Sequence, residues 1–508
     1  MSVRRRTISI ISALALGVGT FTAGALPAAA DEANHYVDCS ASEAGNGTEA
    51  APWNDLAQVN AHAFHPGDQL LFLRGSTCVG TLSPDGSGAS DDPFVISDYG
   101  NATERAVIDG DGAQSAVHLL NAQHIVLSNL EITNAAAPGT QRRGVHVELA
   151  DYGTGTGYLL ENLYIHDVFG GDLKGPNGSA AIGFTVTGSA VPTRYDDVQI
   201  LNNRIDHIDR QGILIVSSPW NNRPEVGSTA PNNWLASTRV VVRGNTLTDL
   251  GGDGIVMNTT DGALVERNTV VGFQKRSAGY NAGIWPFNTD NTLVQYNDVS
   301  LGETHRDGMA YDVDQGNIGT TFQYNLSHDN AGGFFLLCNN GPGIIRNAVV
   351  RYNFSQNDAF RGVENCNGGV ESANVHHNTI YIGDGVSQTV VNENNPNLRT
   401  VTFDHNIVYK EGSGTADFRL RSGGYTFKGN ILIGVQNPPA DTNSAKDRGV
   451  CAPGGWSAFP AVTEFRYTEN AHNANFEALR GSADLSRFFG AESTASAPSG
   501  LQMAQQKC

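Results

Sequence analysis

The chain has 508 residues, of which 40% are hydrophobic and 16% are charged, and its formal net charge is -19 at pH 7. This length suits either several globular domains or one elongated repeat protein. An acidic chain lacks the basic face that neutralises phosphates, so the composition argues against nucleic acid as a ligand. The acidity fits either simple solubility or a cleft that holds catalytic carboxylates or Ca²⁺.

Residues 1–30 are typical of a secretory signal peptide. Three arginines at positions 4–6 precede an apolar run over 8–24, and the alanines at 28–30 precede Asp31. Small residues at this position fit a cleavage site. No later segment approaches the roughly 18 to 20 apolar residues that span a bilayer. We therefore expect a secreted, extracellular monomer with no membrane partner.

All six cysteines follow this segment, and an even number in an exported chain favours disulfides over metal sites. No CxxC or HxxxH spacing accompanies them, which argues against a structural metal. Their positions suggest three pairs, namely Cys39 with Cys78, Cys338 with Cys366, and Cys451 with Cys508.

Residues 31–93 are predicted to form an N-terminal cap. Asn54 would be the N-cap of a helix over 54–61, and an apolar strand is expected over 69–74. A solenoid needs such a segment, because its terminal coil would otherwise expose its core and unpaired strand edges. The turn Pro66, Gly67, Asp68 before the strand resembles the caps of secreted right-handed parallel β-helix proteins of the polysaccharide-lyase and glycoside-hydrolase kind.

Residues 94–435 contain an asparagine that recurs after short alternating strands. From Asn245 to Asn430 these asparagines are 23 to 29 residues apart, and earlier gaps reach 42 residues. Such a period belongs to solenoids, and segments such as 321–325 alternate at period two, as strands do. The pattern predicts an all-β, three-sheet parallel β-helix, right-handed by the resemblance. We expect each asparagine to adopt a left-handed bend and to bond to the next coil.

Loops and the C-terminal segment complete the organisation. Inserts rich in Gly, Pro, Ser and Asn interrupt the coils at 170–178, 218–236 and 339–342, and such loops commonly wall a groove. The period fades after Gly434. Residues 436–508 are predicted to form a partly helical C-terminal cap held by Cys451 and Cys508.

Two carboxylates lie on one face of the strand that follows Gly308. Alternation places Asp312 and Asp314 outward with Ala310, and Met309, Tyr311 and Val313 inward. Residues i and i+2 are about 6.5 to 7 Å apart, so the two acids could serve as acid and nucleophile or base in glycosidic bond cleavage. Their repulsion would raise the pKa of one carboxyl and keep it protonated. Alternatively, they cap the next turn or bind Ca²⁺.

Neighbouring coils supply the other candidate residues. The register obtained by aligning their glycines puts Trp285 and Glu364 in one outward column, and Asn258, Phe287, Asp312 and Cys366 in the next. Glu364 is the other candidate for the acid. Trp285 is either a plate for a sugar ring or part of an apolar ladder. Further candidates for substrate binding are Asp253, Asn258, His305, Arg306 and Arg361, whereas Asp253 and Asp307 are also typical turn residues.

The segments 307–314, 323–330 and 332–338 resemble a pattern in secreted bacterial right-handed β-helix proteins grouped with glycoside hydrolases, fucosidase- and xylanase-like members among them. At fold level the resemblance covers most of the chain after the signal peptide. It implies a hydrolase of polysaccharides or oligosaccharides that requires no cofactor, with Ca²⁺ as an option. Pectin-type hydrolases of this fold carry Asn-x-Asp, Asp-Asp and Gly-His-Gly in successive coils. This chain lacks that order, which argues against a polygalacturonase.

Two other functions stay open. A polysaccharide lyase would use Lys or Arg to abstract the proton next to a uronate carboxyl. Lys275, Arg276 and Arg361 are near the relevant coils, but no basic column accompanies the acidic one. A non-catalytic carbohydrate-binding solenoid would share the fold, because fold alone does not prove activity. A glycoside hydrolase with a carbohydrate substrate is therefore the first expectation.

Overall fold

The computed structural model describes residues 33–137, 139–394, 398–421 and 423–440. The predicted signal peptide and the pair Cys451 and Cys508, with nearly all of the predicted C-terminal cap, lie outside the described residues. The described chain forms parallel strands that coil into a solenoid with three strand-bearing faces. Within this part of the chain, no helix has the length and apolar character needed to cross a membrane.

The first face contains the strand with Asp312. Its strands, in order along the solenoid, are Ser115–Leu120, Arg143–Ala150, Ala180–Thr187, Gln211–Ser217, Ile255–Asn258, Ile284–Phe287, Met309–Val313, Gly333–Arg346, Phe360–His376, Gln388–Glu393 and Ala416–Arg419. The strands Gly333–Arg346 and Phe360–His376 continue without a break onto the second face. The first and second faces are therefore joined into one hydrogen-bonded sheet.

The second and third faces complete each coil. The second face comprises Asn34–Val37, Gln69–Leu73, Phe94–Tyr99, Ile125–Ser128, Thr154–Glu161, Arg194–Leu201, Ser237–Arg243, Thr260–Asp261, Leu264–Glu266, Leu293–Gln295, Asn317–Ile318, Thr321–Gln323, Ala348–Arg351, Leu398–Asp404 and Tyr425–Lys428. The third comprises Thr77–Val79, Val107–Asp109, Glu131–Asn134, Tyr164–Val168, Arg204–Ile208, Thr246–Leu250, Thr269–Val271, Asp298–Ser300, Leu326–His328, Phe354–Gln356, Thr379–Ile382, Ile407–Lys410 and Ile431–Ile433. Their inward side chains, mostly Ile, Val, Leu and Phe, form one continuous core.

The N-terminal segment extends the second face. The strand Asn34–Val37 pairs in parallel with Gln69–Leu73, which pairs with Phe94–Tyr99. The short strands Ala63–Phe64 and Asp85–Gly86 form a separate pair, and a 3₁₀ helix spans Pro224–Val226 in a later loop. The cap therefore contributes coils of its own, which follows from the apolar alternation of residues 69–73.

The helix of this segment spans Leu56–Asn60, and its N-cap is Asp55 rather than the predicted Asn54. Asp55 has extended backbone angles, and its Oδ1 accepts a hydrogen bond of 2.8 Å from the Gln58 amide. Asn54 instead donates its side-chain amide to the Ala41 carbonyl oxygen. Asp satisfies an amide of the first turn and carries a negative charge that the helix dipole favours, so it displaced Asn as the cap.

We expect Asp55→Ala to lower the free energy of unfolding by about 1 kcal/mol, because it leaves the Gln58 amide without its acceptor. Urea unfolding followed by circular dichroism measures the change. Glu43→Ala, at an exposed position outside the helix, is the matched control and should change stability by less than about 0.5 kcal/mol. Equal losses for the two variants would contradict the capping role.

Two predicted disulfides are confirmed. Cys39 is bonded to Cys78 and Cys338 to Cys366, with Cα atoms 5.2 and 4.7 Å apart. Cys338 and Cys366 are direct partners on adjacent strands of the first face. This second bond therefore joins neighbouring coils one strand step from the coil of Asp312.

The recurring asparagines form a buried ladder, which confirms their predicted structural role. The Asn203 amide nitrogens donate to the Asn245 Oδ1, and the same pattern is repeated to the last coil. The later rungs are Asn268, Asn297, Asn325, Asn353, Asn378, Asn406 and Asn430. Each rung is at most 2% exposed, so every bond is protected from water.

The bend conformation differs from the prediction over most of the ladder. Asn129 and Asn162, which precede the ladder, have left-handed backbones with φ of 64° and 51°. From Asn203 onward, the left-handed residue is the one before the asparagine, for example Tyr296 and Tyr324. The asparagine side chain is then directed inward, where it bonds to the next coil. The hydrogen bonds of the ladder therefore decide which residue takes the strained conformation.

Candidate active site

The strand Met309–Val313 presents Asp312 on the outer surface of the first face. The Tyr311 hydroxyl donates to the Leu326 carbonyl oxygen over 2.6 Å and lies 3.1 Å from that of Asn297, so this ring is inside the solenoid. Asp312 pairs with Leu336, which belongs to an apolar cluster outside the core. The outward direction predicted for Asp312 is confirmed.

The beginning of this strand departs from strict alternation. Ala310 and Tyr311 both belong to the core, whereas Met309 packs outside it against Leu336 and the disulfide. The predicted directions of Met309 and Ala310 were therefore wrong. Two consecutive inward residues require an irregularity in the strand, which a period of two cannot anticipate.

The register between coils also differs from the prediction. Ile284 pairs with Tyr311, which places Trp285 beside Asp312. Leu336 pairs with both Asp312 and Glu364. Trp285, Asp312 and Glu364 thus share one outward column, and Asp314 falls beside Phe287 in the next. The glycine alignment failed because Gly333 pairs with Met309 rather than with Gly308.

Asp307, Asp312 and Asp314 form an acidic group on this surface, and Asp312 is the least exposed of the three. Its side chain is 5% exposed, and its Oδ1 accepts no hydrogen bond from the described residues. Burial raises its pKa well above the usual range, and the neighbouring charges of Asp314 and Asp307 raise it further. The neutral, protonated form of Asp312 is therefore favoured relative to that of an exposed aspartate.

Asp314 and Asp307 are half-buried, and both have raised pKa values. Burial raises the pKa of Asp314 to about 7, although the Gln315 amide, 2.7 Å from its Oδ1, favours the charged form. Burial also raises the pKa of Asp307 to about 6, against the opposing effect of Arg361. Two accessible carboxyl groups that exchange protons near neutral pH can act as an acid and a base.

Lys174 brings one positive charge into this acidic group from the loop 170–178. Its Nζ donates to the Tyr280 carbonyl oxygen over 2.7 Å and is 3.4 Å from Asp253 Oδ1. The same ammonium is 4.4 Å from the centre of the Trp285 ring. Its charge lowers the pKa values of Asp307, Asp312 and Asp314 and so limits the effect of burial.

Asp253 is fully buried, which corrects its predicted contact with a substrate hydroxyl. Its Oδ1 accepts a hydrogen bond of 2.9 Å from Trp285 Nε1, and its Oδ2 accepts one of 3.0 Å from Arg210. Both oxygens are therefore occupied by protein donors. Asp253 fixes the indole and, with Tyr280, the ammonium of Lys174.

The surroundings of Trp285 fit the second of its two predicted roles, a member of a row of stacked apolar side chains. The side chain is 7% exposed and belongs to a cluster outside the core, composed of Leu214, Val216, Val256, Ala282 and Trp285, with Phe287 against it. One face of the indole is covered by Lys174. The ring therefore supports the floor of the site.

Arg361 and Glu364 form a buried ion pair beside the carboxylates. Arg361 Nη1 is 3.0 Å from Glu364 Oε1, and Asn392 donates to the other oxygen. Arg361 also donates to the carbonyl oxygens of Asp307 and Gly332. The pair thus fixes the backbone of Asp307 and has few groups left for a substrate.

The remaining predicted residues lie at the edge of the site. His305 is exposed and stacks on Phe360, with ring centres 4.4 Å apart. Arg306 donates to the Ala278 carbonyl oxygen. Asn258 pairs with Phe287 and accepts a hydrogen bond from Thr259. His305 and Arg306 directly precede Asp307 in the chain. Asn258 lies in the same outward column as Phe287 and Asp314.

Sequence reasoning missed several contributors. Phe360, whose ring stacks on His305, is 44% exposed, and Tyr280, whose carbonyl oxygen binds Lys174, is 64% exposed. Lys174 is 106 residues from Tyr280, whose carbonyl it binds, and no periodic pattern signals such a contact. Asp307 was interpreted as a turn residue. The seven-residue spacing of Asp307 and Asp314 around one strand was the available signal.

Potential metal-ligand clusters occur elsewhere in the described chain. His35, His62 and Asp68 approach one another in the N-terminal segment, and His118, His146 and Glu148 do so on an early part of the first face. Ca²⁺ at Asp312 and Asp314 stays a prediction. The raised pKa of Asp312 disfavours the ionised form that Ca²⁺ prefers as a ligand.

Comparisons with known proteins agree with this architecture. A family model described as a right-handed beta helix region matches residues 196–380. Lacto-N-biosidase of Bifidobacterium longum subsp. longum is 28% identical over 504 residues, which cover 81% of this chain and 31% of that enzyme. The chain therefore spans about a third of the length of this relative.

Solved structures of β-helix glycosidases are also similar to this chain. The native crystal structure of GH136 lacto-N-biosidase from Eubacterium ramulus has a TM-score of 0.62 and 26% identity, and the match covers 71% of this chain and 65% of that one. Its selenomethionine derivative has a TM-score of 0.63 and 24% identity, with coverage of 75% and 67%. The fold is a right-handed parallel β-helix, as predicted, and its relatives include carbohydrate-active enzymes.

Proposed function

We propose that this chain is a secreted glycoside hydrolase that acts on an oligosaccharide, with Asp307 and Asp314 as its catalytic carboxyl pair. The observation that carries the proposal is the acidic group on the outer surface of the first face. Two half-buried carboxyls with raised pKa values flank the buried Asp312 there. Glycosidic bond cleavage needs one protonated and one ionised carboxyl on the two sides of the bond.

The pKa order assigns the roles. Asp314, with a pKa of about 7, retains its proton longer and is the general acid for the leaving-group oxygen. Asp307, with a pKa of about 6, ionises first and is the nucleophile or the base. Asp312 is assigned as a neutral neighbour of the pair, because burial and the adjacent acids raise its pKa. Glu364, the other candidate from sequence, is ion-paired and is assigned to positioning Asp307 through Arg361.

The relatives indicate a substrate class. Both carry the name lacto-N-biosidase, and we propose a substrate of this type, an oligosaccharide from which a disaccharide unit is released. Phe360 contacts Arg361, and the Tyr280 carbonyl oxygen binds Lys174. We propose that the exposed rings of these two residues stack on the apolar faces of sugar rings. The carbohydrate partner and the export predicted from residues 1–30 belong to this same proposal.

Hydrolysis of a chromogenic aryl lacto-N-bioside by the secreted protein tests this function. We expect release of the phenol together with a disaccharide that has a new reducing end. A panel of plant, algal and bacterial polysaccharides serves as the comparison for substrate class. A product that absorbs in the ultraviolet through a new double bond would indicate a lyase. Binding without turnover of any substrate would indicate a carbohydrate-binding solenoid. Either result contradicts the proposal.

The pH dependence of kcat/KM is expected to be bell-shaped, with its maximum between about pH 6 and 7. Activity rises as Asp307 ionises near pH 6 and falls as Asp314 loses its proton near pH 7. Lys174→Met removes a charge that lowers both pKa values, so both limbs should move to higher pH. Lys275→Met is the matched control, because Lys275 pairs with Asp249 away from the acidic group. If neither limb of the pH profile moves in Lys174→Met, the proposed electrostatic effect of Lys174 on the two carboxyls is contradicted.

A further inference from the structure

A cavity of about 590 Å³ opens on an earlier part of the first face. It lies over the strands Arg143–Ala150 and Ala180–Thr187, and its lining includes Arg143, Glu148 and Thr187. This volume is in the range of sites for small molecules, which are about 300 to 1,000 Å³. The mechanism proposed above uses none of these residues.

His146, which lines the cavity, lies in the same outward column of side chains as Asp312. His146 pairs with Gly183, and the register continues through Leu214 and Val256 to Trp285. Four strand steps of about 4.8 Å separate Ala180–Thr187 from Met309–Val313, which gives about 19 Å. The loop 170–178 lies between the two sites, because Leu173 and Pro176 line the cavity whereas Lys174 contacts Trp285.

Gly183 leaves space beneath the side chain of Arg143, which lines the cavity. Its neighbours in the column are His146 and Leu214, which both have large side chains. A methyl group at Gly183 would be 3.3 Å from the Arg143 Cδ, which is closer than ordinary contact. The guanidinium of Arg143 therefore extends over a glycine and reaches the cavity.

Arg143 is a buried cation whose charge is only partly compensated. The residue is 4% exposed, its Nη2 donates to the Pro176 carbonyl oxygen, and its Nη1 is 3.3 Å from the His146 Nδ1. Its Nε has no partner among residues 33–137, 139–394, 398–421 and 423–440. Such a burial is costly unless an anion completes the site.

Glu148, the carboxylate that lines the cavity with Arg143, already has hydrogen-bond partners. Glu148 accepts a hydrogen bond of 2.7 Å from Thr187, and its Oε2 is 3.1 Å from His118 Nε2. These contacts, with His118 first, lower the pKa of Glu148 to about 2. Burial, together with Arg143 and His118, lowers the pKa of His146 to about 3, so its imidazole is neutral. Arg143 is thus the group in this cavity that lacks an anionic partner of its own.

We infer that this cavity binds a sugar unit that carries a carboxylate, which pairs with the Arg143 guanidinium. A guanidinium matches a carboxylate through two parallel hydrogen bonds and is preferred for this contact. Amide and hydroxyl groups of Gln114, Gln141 and Thr187 surround it and suit sugar hydroxyls. The site is additional to the catalytic carboxyl pair and does not depend on their roles.

A metal ion fits the same residues less well. His118, His146 and Glu148 bring three ligand atoms within 4.8 Å. However, the two imidazoles are stacked, with ring centres 4.8 Å apart and planes 7° from parallel. Imidazole binds a metal through a lone pair in the ring plane, and two stacked rings do not direct these lone pairs at one point. The Arg143 charge beside His146 also repels a cation.

Calorimetric titration tests the inference with the Asp314→Asn variant, in which no turnover is expected. The probes are D-galacturonate, D-galactose, inorganic phosphate and Zn²⁺. We expect galacturonate to bind at least about tenfold more tightly than galactose or phosphate, as a charged pair would provide. Equal binding of galactose, stronger binding of phosphate, or binding of Zn²⁺ alone would overturn the inference. Hydrolysis is measured separately, so its failure would leave this result intact.

Arg143→Gln is expected to weaken galacturonate binding by at least about tenfold. Arg204→Gln is the matched control, because Arg204 lies over the Tyr164 ring on the third face. If Arg143→Gln fails to fold, Gln114→Leu, which removes an amide from the lining at similar volume, should weaken binding about threefold to tenfold. Unchanged binding in whichever of these variants folds would overturn the inference.

Discussion

Asp314→Asn is expected to lower kcat/KM for an oligosaccharide, whose leaving group is a sugar hydroxyl, by at least about a thousandfold. The amide cannot give a proton to the leaving-group oxygen, and its shape is otherwise that of the acid. Asp307→Asn should cause a comparable loss, because an amide can neither attack the sugar nor activate water. Initial rates at pH 6.5 measure both effects, and urea unfolding confirms that the variants are folded.

Asp312→Asn is the matched control within the same strand. Asp312 is neutral in the proposed mechanism, since burial and two neighbouring acids hold its pKa well above the usual range. An amide reproduces a protonated carboxyl in shape and charge, so activity should stay within about tenfold of the unaltered enzyme. Loss of activity in Asp312→Asn with full activity in Asp314→Asn would make Asp312 the general acid. This result would contradict the proposed pair of Asp307 and Asp314.

Asn325→Leu is expected to lower the free energy of unfolding by about 4 kcal/mol. Its Oδ1 accepts hydrogen bonds from the backbone and side-chain amides of Asn297, and its Nδ2 donates to Val294 and Asn353. Leucine has a similar volume but leaves these buried groups unsatisfied, each at about 1 to 3 kcal/mol. Unfolding in urea, followed by tyrosine and tryptophan fluorescence, measures the loss.

Asn101→Leu provides the control for this substitution, because Asn101 is exposed in a loop. Its effect should be within about 0.5 kcal/mol. Equal unfolding midpoints for Asn325→Leu and the unaltered protein would show that the ladder adds little to stability. A broad transition with a smaller slope would instead indicate that coils on the two sides of Asn325 unfold separately.

The repeat was predictable from sequence because its cause is local. Each coil needs strands of period two and an asparagine at a fixed bend, and both features are visible in one segment of about 28 residues. The outward direction of Asp312 follows from the same alternation. The left-handed residue was misplaced by one position, because inter-coil bonds of the asparagine side chain decide the bend and a single strand does not show them.

The arrangement of the site was less predictable because it depends on contacts between distant segments. Glycine positions suggested a register that the irregularity at Ala310 and Tyr311 alters. Lys174 reaches the acidic group from a loop more than a hundred residues earlier in the chain. The raised pKa of Asp307 results from enclosure by these segments and cannot be inferred from an Asp-Gly pair.

The asparagine ladder also has a consequence for how the solenoid can change in length. Each rung contacts the equivalent rung before and after it, at separations of 23 to 29 residues from Asn245 onward. Removal or duplication of one complete turn restores identical partners at the junction, whereas a partial deletion leaves mismatched ends. Whole turns are therefore the natural modules for lengthening, shortening or recombining this scaffold.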